Sequence, residues 1–224
     1  MRTVTVQGVG KASAPVDTVE LSFCLWARDR DYDAALTAAS TKVERLEQAL
    51  CAADFPAADF QTVGFHVNTE YESVCDEKGN CQSVFAGYRC SYDQQLRFAF
   101  DAARLGVALA AVAESKSEPE LQVHFTVREP EKLETALLQA AADSARARAE
   151  VLCAASGCRL GELQKIEYDV NRLSFLSETR MEMDCMSLAM GSAKAKRSLS
   201  ANFRPQDVEL QDTAVFVWEI RGIG

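Results

Sequence analysis

The sequence is poor in histidine and in long apolar runs, and each scarcity argues against a class of protein. Its 224 residues include two histidines, His66 and His124. Neither histidine lies in a sequence pattern typical of a catalytic triad. No run of about 18 apolar residues is present, so no segment is predicted to span a membrane as a helix. The sequence therefore favours neither a histidine-dependent hydrolase nor a helical membrane protein.

Basic residues are also scarce relative to acidic residues. The chain has 24 Lys and Arg against 33 Asp and Glu, which gives a formal net charge of −9. A protein that binds nucleic acid or anionic lipid needs an excess of positive charge on the binding surface. We therefore expect neither to be the main partner. The apolar residues make up 48% of the chain, which is typical of a globular protein with a sizeable core.

The N-terminus lacks the pattern of a secretory signal. Residues 1–5 enter strand-like alternation directly, without the charged, apolar and small-residue regions that a signal peptide needs. As written, the sequence is predicted to be cytoplasmic. The alternative is a periplasmic or otherwise exported protein whose signal has been removed.

The eight cysteines include no C-x-x-C pair. In a reducing cytoplasm most thiols stay free, and reduced cysteines are the prediction here. Cys75 and Cys81 flank Gly79-Asn80, which is typical of a hairpin tip. Two free thiols are expected near that tip, and a redox pair that forms a disulfide is the alternative. The adjacent acidic residues disfavour a reactive thiolate at the pair.

No catalytic, cofactor or metal residues are assigned from the sequence. Gly8 and Gly10, with Pro15-x-Asp17, predict that a first strand ends here and turns into a second strand. The two glycines lack the third glycine of a dinucleotide motif, and a strand follows where that motif needs a helix. A structural zinc site needs four converging ligands, and the hairpin supplies only two of them. Carboxylate pairs near strand ends are expected to be solvated rather than to act as acid and base. The remaining soft metal ligands and the carboxylate pairs in question are His66, His124, Glu70, Glu72, Glu118 and Glu120.

Hydrophobic periodicity predicts an α+β fold. Apolar residues at three- and four-residue steps predict a helix over 31–53, a shorter one capped by Asp101, and a long one from Pro130 to Cys153. Period-two alternation predicts strands before, between and after them. The order favours an antiparallel-rich sheet with about three helices on one face. The predicted buried stripe of the long helix is Leu133, Leu137, Ala140, Ser144, Ala147 and Val151.

Two segments interrupt this pattern. Residues 72–84 form a predicted hairpin excursion, and residues 171–207 follow neither the helical nor the strand period. A long irregular connection inside a compact domain is usually functional, oligomer-forming or disordered. Methionine adapts to irregular apolar surfaces, so four methionines are candidates for an oligomer or ligand contact. They are Met181, Met183, Met186 and Met190.

Several motifs together resemble one family. Gly8-Val9-Gly10 with Pro15-x-Asp17 resembles the opening of SIMPL-domain proteins, which include bacterial periplasmic immunogenic proteins. Gly87-Tyr88-Arg89-Cys90-Ser91 is similar to a strand of that family. Ala141-x-x-Ser144-Ala145, followed by Gly157-x-x-Leu160-Gly161, is similar to its closing helix and turn. The resemblance extends from Val6 to Ile220.

The resemblance implies a single α+β domain over residues 1–224 and a tendency to form homo-oligomers. It implies no enzymatic activity, so the predicted function is that of a non-enzymatic scaffold that self-associates and binds a protein or a small molecule. The alternative is a thiol- or metal-dependent stress-response protein that uses the Cys75/Cys81 hairpin.

Overall fold

The computed structural model describes residues 2–75, 81–169, 173–183 and 203–222, and it confirms the α+β class. Among these residues, no helix combines the length and the apolar character needed to cross a membrane. The helices are α1 (Tyr32–Ala52), α2 (Ala102–Glu114) and α3 (Pro130–Ala155), with a short 3-10 turn at Ala57–Asp59. The strands are β1 (Thr3–Ala14), β2 (Thr18–Asp29), β3 (Phe60–Cys75), β4 (Cys81–Ala99), β5 (Glu120–Thr126), β6 (Cys158–Glu167), β7 (Leu176–Met183) and β8 (Val208–Gly222).

The strands divide between two sheets, which the sequence did not predict. One sheet has the order β1-β8-β6, and the other has the order β3-β4-β2-β5-β7. β8 pairs antiparallel with both β1 and β6, and β4 pairs antiparallel with both β2 and β3. The central place of β8 explains why apolar residues occur on both of its faces.

Contacts divide the chain into two compact units. Unit 1 comprises residues 1–16, 126–178 and 206–224, and unit 2 comprises residues 17–125 and 179–205. Unit 1 contains the three-stranded sheet and α3, whereas unit 2 contains α1, α2 and most of the five-stranded sheet. The single domain predicted over residues 1–224 stays a prediction.

The core of unit 1 depends on a close approach between α3 and β1. Gly8 and Gly10 lie inside β1, so the expectation that they end the first strand is wrong, and the chain turns only at residues 15–17. A Cβ on Gly8 would lie 2.8 Å from the Ala145 Cβ and closer still to the backbone of Ala141. The glycines therefore serve packing, because only a strand without side chains at these points admits the helix.

The buried face of α3 differs from the predicted stripe. The structure buries a row at four-residue steps, whereas Ala147 is exposed and Val151 keeps 68% of its surface exposed. The small side chains of this row pack against β1, and this contact determines the rotation of α3 about its own axis. The prediction that small residues let the sheet approach the helix is confirmed, but their positions were wrong after Leu137. The buried row is Leu133, Leu137, Ala141, Ala145, Ala149 and Cys153.

Unit 2 is built around a regular amphipathic helix. The Asp31 side chain accepts a hydrogen bond from the Ala34 backbone N–H at 3.0 Å and caps α1, so that of the two candidates in the sequence, Asp29 and Asp31, the second is the cap. The helix buries Ala35 and Ala39 against Ala27 and Cys90 of the sheet. Alternate residues of β2 from Val19 to Ala27 are buried, so this sheet has one core face and one outer face.

The Met-rich segment is more ordered than predicted. Residues 176–183 form β7, at the edge of the five-stranded sheet next to β5. The expectation that residues 171–207 hold no regular structure is therefore wrong for this part. The hydroxyl of Ser177 donates a hydrogen bond to the backbone oxygen of Gln206 at 2.6 Å. The sequence of β7 does not show the strand period, because Leu176 and Met181 are five positions apart and so belong to opposite faces of the strand.

The close approach in unit 1 gives a stability prediction. Gly8→Ala is expected to lower the free energy of unfolding by about 2 kcal/mol, because the added methyl group overpacks the α3 contact. Gly222→Ala is the matched control, since no atom lies within 4 Å of a Cβ built there. Urea denaturation measures both variants. Equal stabilities for the two would contradict the proposed packing role of Gly8.

Candidate functional site

The most unusual feature of unit 2 is a two-stranded ribbon that extends beyond the rest of its sheet. The pairing of β2 with β4 ends at Asp29 opposite Tyr88, but β3 and β4 remain paired from Glu70 opposite Gly87 to Cys75 opposite Cys81. We call residues 70–75 and 81–87 the arm. At about 3.3 Å per residue, the six residue pairs of the arm extend roughly 20 Å beyond the end of β2.

A bulge marks the base of the arm. The register shifts between Glu70 and Tyr71, which leaves Ala86 as an extra residue of β4. Gly87 beside it has a φ of +148°, and a Cβ there would lie 2.5 Å from the backbone oxygen of Asp29. Only glycine therefore fits where the arm leaves the sheet.

The far end of the arm is closed by a disulfide between Cys75 and Cys81. The expectation of two free thiols is therefore wrong, and the alternative of a joined pair holds. The two cysteines are direct partners in the antiparallel register, which brings their side chains together across the ladder. The predicted Gly79-Asn80 tip lies outside the described residues.

A chain of aromatic rings lines one face of the arm. The rings of Tyr71 and Phe85 are 6.0 Å apart, and those of Phe85 and Tyr88 are 5.3 Å apart. Tyr88 in turn lies 5.7 Å from Tyr32, at the start of α1. All three contacts are edge-to-face, which is a favourable geometry for aromatic pairs. The arm is thus connected ring by ring to the helix.

Charged groups hold the opposite face of the arm base. The Arg28 guanidinium of β2 pairs with Glu72, and its Nε lies 3.2 Å from Glu70 Oε2. Arg89 of β4 lies 3.8 Å from the other oxygen of Glu70. Exposed ion pairs contribute little individually, but a fork that joins three strands restrains the direction of the arm. The Glu70/Glu72 pair was expected to be solvated surface, and the structure places it in ion pairs.

The outer face of the five-stranded sheet carries a polar cluster around Trp26. The Arg89 guanidinium lies 4.3 Å from the centre of the Trp26 ring, a cation–π distance. The indole N–H of Trp26 donates to Glu120 at 3.1 Å. Burial, and then a hydrogen bond to Asp93, raise the pKa of the neighbouring Cys24 thiol to about 11. The thiol is thereby kept protonated and a poor nucleophile.

The histidines do not assemble into a site. His66 Nε2 lies 3.5 Å from Asp93 Oδ2 on the exposed sheet surface. His124 on β5 has a buried Nδ1 that finds no hydrogen-bond partner among the described residues. The structure does not bring either histidine together with the Cys75/Cys81 pair in a metal site. Within the described ranges, no group of three or more His, Cys, Asp or Glu is placed to hold a metal ion.

The methionines are only partly described. Met181 lies in β7 and is half-buried, and Met183 is the last residue of the same strand. Met186 and Met190 lie outside the described residues. A shared contact surface for these four residues therefore stays a prediction.

Sequence reasoning missed the aromatic chain and the Trp26 cluster. The aromatic residues are scattered from Tyr32 to Tyr88, so only the strand register shows that they meet. One signal was present in the sequence, namely apolar and aromatic residues on both sides of the predicted hairpin at Tyr71 and Phe85. A hairpin that is only solvated is expected to carry polar side chains at these positions.

The protonated state of Cys24 gives a chemical prediction. A pKa raised from 9.0 to about 11 leaves roughly one hundred times less thiolate at pH 8. We therefore expect iodoacetamide to modify the exposed Cys51 much faster than Cys24 in the native protein, as measured by peptide mass spectrometry. Asp93→Asn removes the negative charge and leaves only a neutral amide oxygen as acceptor, so it should accelerate the modification of Cys24 but not of Cys51. Equal native rates for the two cysteines would contradict the assignment.

Comparison with known proteins identifies the family of the chain. The family model described as SIMPL, a protein of unknown function (DUF541), matches residues 4–218. No curated protein matches the sequence. The match covers both units and includes the β1 glycines, Gly87 and the alanine row of α3. The chain therefore belongs to the SIMPL family.

Proposed function

We propose that the protein is a non-enzymatic binding scaffold that self-associates through the arm. The observation that carries this proposal is an edge strand, β3, that continues into a two-stranded ribbon exposed on both faces. A two-stranded hairpin is marginally stable alone in water. This one is instead fixed by the disulfide, the aromatic chain and the ion pairs, which is consistent with a role that needs a rigid projecting surface.

The exposed side chains of the arm support an apolar interface. Tyr71 keeps 60% of its surface exposed, Val74 keeps 55% and Val84 keeps 49%. A long exposed edge strand with apolar side chains is a template for pairing with another strand, and proteins that remain monomeric usually shield such edges. In an arm-to-arm association, the backbone groups of β3 would pair, and Val74 and Val84, which share one face of the ribbon, would be buried, while Tyr71 lies on the other face. A second copy of this chain supplies both.

The electrostatics of the described residues favour binding over catalysis. Burial raises the pKa of the Cys90 and Cys153 thiols, as it does for Cys24. Burial, and then a hydrogen bond to Asp212, also raise the pKa of Tyr168. Each shift stabilises the protonated form and so suppresses a potential nucleophile. A catalytic centre generally needs shifts that activate such groups.

The association proposal predicts a specific loss. Val74→Asp combined with Val84→Asp should weaken self-association by about tenfold or more, because two charges would be buried at the interface. The matched control is Val107→Asp on α2, an exposed valine away from the arm. Light scattering over a concentration series measures the mass of each variant.

Two results of this experiment would count against the proposal. A wild-type protein that stays monomeric at millimolar concentration would refute self-association. An oligomer that the arm substitutions leave intact, or that the control substitution weakens equally, would refute the assignment to the arm.

The disulfide favours a second candidate function, a thiol-dependent stress-response role centred on Cys75 and Cys81. Both cysteines are exposed, so a thiolate from another molecule has access to the bond. Because the two sulfurs are joined, they are not available as thiolate ligands for a metal. We also propose that the protein works in an oxidising compartment, as the exported alternative requires, since disulfides persist there and are rare in the cytosol.

Removing the disulfide distinguishes the two roles. In the scaffold role, Cys75→Ser with Cys81→Ser should speed amide exchange in the arm by about thirtyfold, because closing so short a loop contributes about 2 kcal/mol. Cys51→Ser, at an exposed free cysteine, is the control. Unchanged exchange in the arm would contradict the structural role.

A redox titration tests the thiol-dependent role directly. Structural disulfides usually have reduction potentials below about −300 mV, whereas labile regulatory ones have higher potentials. Partial reduction of Cys75–Cys81 in glutathione buffers near −200 mV would support the thiol-dependent role. A disulfide that stays oxidised in these buffers would refute the thiol-dependent role and leave the scaffold role as the only candidate.

A further inference from the structure

Unit 1 contains an open groove between β1 and the last turns of α3. Its volume is about 600 Å³, within the usual range for small-molecule sites. Thr5, Val6 and Gln7 of β1 line one side, and Arg148, Val151 and Leu152 of α3 line the other. Among the described strands, β1 is at the edge of the three-stranded sheet, with β8 as its neighbour on the other side.

The helix wall of the groove carries two large apolar side chains that the described residues leave exposed. Val151 keeps 68% of its surface exposed and Leu152 keeps 50%. The sequence predicts burial of Val151, because it continues the stripe that begins at Leu133. In the structure the glycine contacts direct Ala145 and Ala149 to the sheet instead, and Val151 is left at the flank. The groove therefore offers an apolar surface that the fold itself does not use.

A single charge lies at the groove. Among the lining residues only Arg148 is ionisable, and one of its terminal nitrogens, Nη1, donates to the backbone oxygen of Gln7 at 2.9 Å. This hydrogen bond holds the side chain along the edge of β1. A guanidinium has five N–H donors, so it retains donors for a second acceptor. An anionic oxygen beside Arg148 would receive charge-assisted hydrogen bonds.

We propose that this groove binds a single-chain amphiphile with an anionic headgroup, such as a long-chain carboxylate. The acyl chain lies along Val151, Leu152 and Val6, and the headgroup pairs with Arg148. Charge complementarity selects an anion over a cation, because the described residues of the lining supply one positive group and no negative group. The site takes a dispersed molecule and not a membrane, since the chain as a whole carries a charge of −9 and is repelled by anionic bilayers.

This proposal is independent of the proposed self-association. The groove lies entirely in unit 1, whereas the arm lies in unit 2. A protein that associates normally but binds no amphiphile would refute only the groove. A monomeric protein that binds the amphiphile would refute only the role of the arm.

Isothermal titration calorimetry with dodecanoate, below its micelle concentration, tests the groove directly. We expect one molecule per chain. The affinity should fall roughly fourfold for each methylene removed, and decanoate has two fewer, because each buried methylene contributes a constant increment of binding free energy. Dodecyltrimethylammonium, with the same tail and a cationic headgroup, should bind at least tenfold more weakly. Equal binding of the two headgroups, or several molecules per chain, would overturn the proposal.

Matched variants locate the site. Val151→Asp and Arg148→Gln should each weaken dodecanoate binding about tenfold or more, and Arg148→Lys should retain most of it because the charge remains. Val107→Asp on α2 and Arg146→Gln on α3 are the controls, since both residues are exposed and do not line the groove.

Two outcomes would overturn the assignment even if dodecanoate binds. Controls that lose binding as much as the groove variants would show non-specific adsorption. Self-association that Val151→Asp abolishes would show that a second copy of the chain covers the groove. Circular dichroism of each variant confirms folding, which is expected because Val151 and Arg148 are exposed.

Discussion

The pairing between β2 and β4 ends at Asp29, and the exposed surface of unit 2 depends on where it ends. Where β2 is present, β4 is an internal strand with β2 on one side and β3 on the other. Beyond it, β3 and β4 pair only with one another among the described strands, so the apolar residues of the arm are exposed on the ribbon. The bulge and Gly87 lie at the same point. The aromatic chain, the Arg28 ion pairs and the disulfide compensate along the ribbon for the missing third strand.

Unit 1 follows from a different constraint, the short distance between α3 and β1. Gly8 and Gly10 leave space that the alanine row of α3 fills, and this contact sets the rotation of the helix. The same rotation leaves Val151 and Leu152 beside the edge of β1. Close packing on one side of a helix therefore produces an uncovered apolar flank on the other. The groove and the glycines are two consequences of one contact.

Much of the fold is predictable from the sequence because its helices carry local signals. The cap at Asp31, the cap at Asp101 and the proline at Pro130 mark three helix starts that the structure confirms. The predictions are wrong where the local structure depends on contacts between residues far apart in the sequence. Gly8 and Gly10 look like turn residues until α3 lies over them, and β7 looks irregular because its apolar residues Leu176 and Met181 do not follow the strand period.

The candidate site was harder to predict than the fold. The hairpin itself follows from its two alternating strands and the turn residues between the cysteines. The oxidation state of Cys75 and Cys81 does not follow in the same way, because the expectation of free thiols rested on the absence of an export signal and not on geometry. The direct opposition of Cys75 and Cys81 depends on the register of the whole ladder, and that register includes a bulge that the sequence does not reveal.

The central claim is that the arm is an ordered surface which a second copy of the chain covers. Hydrogen–deuterium exchange at two protein concentrations tests this claim most directly. The account predicts that amides in residues 70–75 and 81–87 become more protected at the higher concentration, while those of α3 do not change. Protection that is independent of concentration in the arm, while the measured mass increases, would contradict it.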